Sequence, residues 1–190
     1  MLKTRLTEVC GLTRPIVLAP LASGATSGHL ASAVSEAGGL GLFGGIHAGG
    51  PEWVREQIRF TRSHTSQPFG VGFITVQIPK FAENFAVCLQ ERVPFLAFSF
   101  GDPTSYVAQA KAAGAKVLCQ VQTLEAARLA VAAGTDVLVA PGQRGGRPHG
   151  SARHAPLPRA SPRPRGHHAR DRLRRHRERS GSRRGARSRR

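Results

Sequence analysis

Glu36-Ala37-Gly38-Gly39-Leu40-Gly41-Leu42, Ala112-Ala113-Gly114-Ala115-Lys116-Val117-Leu118 and Ala132-Ala133-Gly134-Thr135-Asp136-Val137-Leu138 state one pattern three times: a helix end, a glycine turn and the start of an apolar run. Glycine after alanine suits a helix end because a left-handed residue there costs nothing without a Cβ. Outward from these segments, apolar runs at 16–19, 40–43, 70–75, 95–98, 116–120 and 137–140 alternate with helix-forming stretches near 27–37, 51–62, 81–91, 103–113 and 123–133. The runs are nearly continuous rather than alternating, as parallel strands covered on both faces require. Helix starts are also written in: Ser27 and Thr123 as caps, Pro51 and Pro103 at first-turn positions. Six strands in a βα repeat fit either an open doubly wound sheet or most of an eight-stranded barrel, and composition does not choose between them.

The pattern stops at residue 140. Residues 1–140 carry 11 Lys and Arg against 9 acidic residues, net +2; residues 141–190 carry 17 Arg and no Lys against 2 acidic residues, net +15. Of the whole chain's +17, +15 therefore belongs to its last 50 residues. That segment has no Val, Ile, Phe, Tyr, Trp, Met or Cys, and Leu157 and Leu173 are its only larger apolar residues. It has too little to bury to offset its ordering entropy, so a disordered tail is expected. The near-neutral front part gives no electrostatic reason to expect nucleic acid or an anionic membrane as partner.

Several classes are disfavoured directly. No stretch approaches the ~20 apolar residues of a membrane span, and residues 1–14 lack the apolar core of a secretory signal. A cytoplasmic protein is the expectation. Cys10, Cys88 and Cys119 are odd in number, far apart and in no C-x-x-C spacing, which favours free buried thiols over a disulfide framework or zinc site.

Five segments in order carry a resemblance: Arg14-Pro15-Ile16-Val17-Leu18-Ala19-Pro20-Leu21-Ala22, Ala33-Val34-Ser35-Glu36-Ala37-Gly38-Gly39-Leu40-Gly41, Phe69-Gly70-Val71-Gly72-Phe73, Phe98-Ser99-Phe100-Gly101-Asp102-Pro103 and Cys119-Gln120-Val121. Over residues 4–140 the chain resembles nitronate monooxygenase, also called 2-nitropropane dioxygenase. The resemblance implies an α/β fold, here an incomplete TIM-type (β/α)8 barrel, with FMN at the C-terminal ends of the strands. It implies cofactor contacts from Ala19, Pro20, Leu21, Gly72 and Gln120. Ala19-Pro20-Leu21 would lay backbone against the isoalloxazine, with Leu21 standing where the family usually has Met. Gly72, ending the third predicted strand, would permit close approach, and Gln120 would offer a neutral amide to a ring edge. Each has a plainer reading too, as a strand end, a relief of crowding or a loop tie.

Other candidates are weaker. Gly44-Gly45 through Gly49-Gly50 lacks the spacing of a phosphate loop and reads as a mobile loop over the barrel mouth, with His47 in it as a substrate-facing candidate. His29 and His64 read as solvent-facing, Trp53 and Tyr106 as helix residues packing on the sheet.

After the sixth run the family has a loop A-Q-G-x-E-A-G-G-H-T-G whose His is the catalytic base. This chain reads Ala140-Pro141-Gly142-Gln143-Arg144-Gly145-Gly146-Arg147-Pro148-His149-Gly150. One C inserted after the Ala140 codon in a G+C-rich gene converts such a loop into this sequence, so 141–190 reads as a frameshift product. The family His codon would then straddle Pro148 and His149, His149 inherits no role, and no catalytic residue is assigned. The seventh and eighth strands, with their phosphate-binding loops, would be missing. The implied chemistry of an intact relative is flavin-dependent oxidation of an alkyl nitronate, or of a nitroalkane after proton removal by the His, with O2 to carbonyl and nitrite; in this chain it is expected to be impaired. Two alternatives stand beside it: a flavin-dependent enoyl reductase of the related barrel group, and nonspecific nucleic-acid binding through the Arg-rich tail, which lacks aromatic stacking residues.

Overall fold

Five of the six apolar runs form strands in the computed structural model, which describes residues 2–142. They are β1 (Gly41–Gly44), β2 (Phe69–Ile74), β3 (Phe95–Ser99), β4 (Lys116–Gln120) and β5 (Val137–Val139). All neighbours pair in parallel, in the order β1-β2-β3-β4-β5. A doubly wound sheet reverses its order at a switch point, whereas a barrel keeps chain order. The unbroken order belongs to the barrel.

The run at 16–19 departs from expectation. It lies beside β1 but makes a single bridge, Val17 with Leu40, through Leu18 N–H to the Leu40 carbonyl and Leu40 N–H to the Ile16 carbonyl, each 2.9 Å. The next rung of a parallel ladder needs an N–H from residue 20, and Pro20 has none. The first barrel strand is thus present in position but cut to one rung.

The helices are α1 (Arg5–Cys10), α2 (Gly28–Glu36), α3 (Gly50–His64), α4 (Ala82–Gln90), α5 (Thr104–Ala112) and α6 (Leu124–Ala132), with a 3-10 turn at Thr75–Phe81 ahead of α4. Gly38, Gly114 and Gly134 have φ of 90°, 85° and 90°, the left-handed turns that the repeated pattern announced. Thr123 caps α6 by accepting the Ala126 N–H, whereas Ser27 sits at the N-cap of α2 without a side-chain bond. Pro103 proves to be the residue before α5, and the turn there is held by Asp102, whose carboxylate accepts the Thr104 N–H at 2.9 Å and its hydroxyl.

Alternate strand residues serve two cores. Phe43, Val71, Phe73, Leu96, Phe98, Val117 and Cys119 pack outward on Val54 and Ile58 of α3, Phe85 and Cys88 of α4, and Val107 of α5. Leu42, Phe95 and Leu118 point to the other face, where Cys10 and Leu12 close the barrel floor with α1. Sequence reading missed α1. Its signals are short-range: Thr4 and Thr7 cap each other reciprocally, and Leu6, Val9 and Cys10 share one face. The three cysteines are free and buried. Trp53 and Tyr106 pack partly buried on the outer core, and His29 and His64 are exposed, all as read from sequence.

Among the described residues β5 pairs only with β4, leaving Leu138 and Val139 each 40% exposed. Of the tail expected at 141–190, residues 143–190 lie outside the described residues, and His149 with them.

Candidate functional site

The last residues of β1 to β5 (Gly44, Ile74, Ser99, Gln120 and Val139) define one rim; Leu21 lies against Gly44, Gln120 is itself a strand end, and Pro20 lies against Gly72 inside β2. Ala19-Pro20-Leu21 is positioned by three independent devices. Gly72 leaves room for Pro20: a Cβ built on Gly72 would lie 2.2 Å from Pro20 Cγ, far inside carbon contact distance. Gly44 does the same for Leu21, whose carbonyl oxygen would sit 2.3 Å from a Cβ there. Thr26, 2% exposed, clamps the Leu21 backbone, its hydroxyl oxygen accepting the Leu21 N–H at 2.9 Å and donating to the Leu21 carbonyl at 3.1 Å. Thr26 was not singled out from sequence, and nothing local marks it, because its partner is fixed only by the turn between.

The placement refines two expectations. Gly72 is not a strand end, since β2 runs two residues further to Ile74, and its open side is filled by Pro20. Leu21 is 52% exposed and Ala19 is exposed, giving an apolar shelf beside the rim. Gln120, half-buried at the end of β4, stands on the wall of a cavity of about 340 Å³ that Ala19, Pro20, Leu21 and Gly72 do not line.

His47 is engaged otherwise. Its ring stacks on Trp53 with centroids 3.7 Å apart, and Nδ1 accepts the Gly49 N–H at 3.0 Å. The loop that carries it is tied down by buried Asn84, which donates to the Gly45 carbonyl at 2.9 Å and the His47 carbonyl at 3.4 Å. Gly45 abuts the Phe73 ring, where a Cβ would come within 2.3 Å, so this part of the glycine-rich stretch is explained by packing.

The polar residues near Gln120 are the neutral Thr75, Ser99, Gln122 and Thr123 together with the acidic Asp102 and Glu125. Asp102, at the cavity edge, is held below the usual carboxylate range by the hydroxyl and N–H of Thr104. Burial raises the Cys119 thiol, against the hydrogen bond it receives from Thr135. Among the described residues no cluster of His, Cys, Asp and Glu is arranged to hold a metal. The cavity wall therefore offers apolar surface and neutral hydrogen-bonding groups beside two carboxylates.

The profile of the family described as nitronate monooxygenase matches residues 3–86 and 74–157. The chain belongs to the nitronate monooxygenase family. Its second matched segment continues beyond residue 140 into the Arg-rich part. Nitronate monooxygenase of Paraburkholderia phytofirmans is 29% identical over 76% of this chain and 49% of its own length. Among solved structures, FabK from Thermotoga maritima is 37% identical with a TM-score of 0.65, covering 74% of this chain and 44% of that one. A nitroalkane oxidase from Streptomyces ansochromogenes is 29% identical with a TM-score of 0.63, covering 73% and 49%. The chain thus spans about half the length of the family member it matches.

Proposed function

We propose that this chain is a flavin oxidoreductase of the nitronate monooxygenase type, or the flavin-facing part of one, in which the rim of Ala19, Pro20, Leu21, Gly72 and Gln120 receives FMN. What supports the reading is that Leu21 lies against Gly44 at the end of β1 and Gln120 ends β4, both at C-terminal ends of parallel strands, in a chain that belongs to this family. The residues fit the group in kind: Pro20 and Leu21 form a clamped apolar shelf, and Gln120 offers an uncharged amide. Bound there, FMN would supply the electron transfer that oxidises an alkyl nitronate with O2 to carbonyl and nitrite. The protein's part is to hold the ring, through Thr26 acting on Leu21 and Gly72 on Pro20. The family loop that carries the catalytic His is replaced by 141–150 in this sequence, so turnover of nitronates and nitroalkanes alike is expected to be impaired.

The test is FMN titration of the full 190-residue chain, followed by flavin fluorescence quenching, with nitrite release from propyl-2-nitronate. Weak saturable quenching that Thr26→Val reduces several-fold supports the reading. Absence of quenching refutes it, and stoichiometric flavin with rapid nitrite release refutes the impairment. NADPH oxidation with an enoyl substrate would assign the rim to an enoyl reductase instead.

A further inference from the structure

Ser99 stands beside Gln120 because the sheet puts it there. The register pairs Ile74 with Ser99, Ser99 with Gln120 and Gln120 with Val139, so these residues form one row across the C-terminal ends of β2 to β5. Opposed residues of parallel strands project from the same face. That face is the inner one, because Ala97, two residues before Ser99, packs on the inner cluster to which Leu118, two residues before Gln120, belongs. Ser99 and Gln120 are both half-buried and both line the cavity at the rim, so each is open to a ligand there. The Ser99 hydroxyl donates to the Phe73 carbonyl at 3.3 Å, which commits its only proton and leaves its oxygen as an acceptor. The amide next to it donates through Nε2 and accepts through Oε1. The pair therefore matches an uncharged group that presents a donor beside an acceptor, and the carboxylates of Asp102 and Glu125 on the same cavity weigh against an anion in that place.

We propose that Ser99 is a flavin-binding residue which, with Gln120, takes the pyrimidine edge of the isoalloxazine, the edge that carries C2=O, N3–H and C4=O. The inference rests on the flavin reading above. Ser99 Oγ accepts the N3 proton, and Gln120 Nε2 donates to a neighbouring ring carbonyl. Pro20 and Leu21 supply apolar contact, while the pair on β3 and β4 selects which edge of the ring enters.

The experiment uses the full chain and two ligands, FMN and 3-methyl-FMN, which carries a methyl group in place of the N3 proton, and reads both dissociation constants by flavin fluorescence quenching. The parent chain is expected to bind 3-methyl-FMN about tenfold more weakly than FMN, the worth of one neutral hydrogen bond. In Ser99→Ala that penalty is expected to shrink to about twofold or less, because the partner of N3–H is gone. Ser99→Thr, which keeps the hydroxyl, is expected to retain it. The penalty compares two ligands on one protein, so a change in the stability of a variant cancels from it. FMN binding with an equal penalty in the parent and Ser99→Ala, or with no penalty in the parent, would overturn the role of Ser99 and leave the flavin reading standing. A parent chain that binds neither ligand would overturn the flavin reading and this subsite with it.

Discussion

Gly72→Ala tests how the rim is built. The added methyl would lie 2.2 Å from Pro20 Cγ and 2.5 Å from Pro20 Cβ, where carbon contacts prefer about 3.5–4.0 Å. One partner must retreat by more than 1 Å, roughly, to reach that distance. Neither is free to do so: β2 is paired on both sides, and the segment of Pro20 is pinned by Leu18 on one side and by Thr26 on the other. Overpacking of this kind costs about 1–3 kcal/mol. Pro20→Gly alone removes the ring and frees the unfolded chain, a loss of about 1 kcal/mol. With the ring gone the methyl has space, so the double variant should be more stable than the sum of the two losses predicts, by about 1–2 kcal/mol. Urea unfolding followed by circular dichroism, with unchanged m-values, measures all three. Additivity within about 0.5 kcal/mol would refute the contact. The same cycle read by FMN quenching should show Gly72→Ala weakening the flavin, because the shelf is displaced.

Further expectations follow from other ties. Asp136 accepts from Lys111 Nζ at 2.7 and 2.8 Å and from the Val117 N–H at 2.7 Å, linking α5, β4 and the start of β5. Burial acts to raise its pKa, but these partners outweigh it and hold it below the ordinary 3.8. Its stabilisation is therefore present above pH 3.8 and lost as pH falls through the lowered value. Asp136→Asn should cost about 1–2 kcal/mol at pH 7, and a pH series of unfolding midpoints should show that gap closing only under acid conditions. Thr123→Ala removes the cap of α6 and should cost about 1 kcal/mol in the same urea assay; no loss would mean that the helix start is held by packing. Cys10, Cys88 and Cys119 are each 1% exposed, and burial pushes the Cys88 thiol far above its usual range. A disulfide reagent should label them only as the chain unfolds, and rapid native labelling would contradict their burial. Finally, the reading of 141–190 as a frameshift product predicts that deleting one base near codon 141 of the source DNA restores a family-like continuation containing the His loop; a coding sequence without one would refute it.

Much of the framework is local and therefore legible. Gly38, Gly114 and Gly134 mark helix ends because a left-handed turn is a property of one residue. The five strands are legible because parallel strands in a covered sheet are apolar along their length, whatever their partners. The charge break at 140 is composition alone. What was misread depends on partners distant in sequence. Residues 16–19 have a strand's composition, yet the ladder fails at Pro20, a position that matters only once Leu40 and Leu42 lie alongside. α1 is too short for periodicity to announce it, and it is held by the barrel floor it covers.

The sequence by itself determined the βα repeat, the turns, the family likeness and the absence of a disulfide framework, since each rests on backbone preference or residue type within a short window. Only the tertiary structure decided that the sheet keeps chain order, that Gly72 makes room for Pro20 and that Thr26 clamps Leu21. These are contacts between residues as many as 52 positions apart, and close packing in three dimensions, which no local preference encodes, selects them.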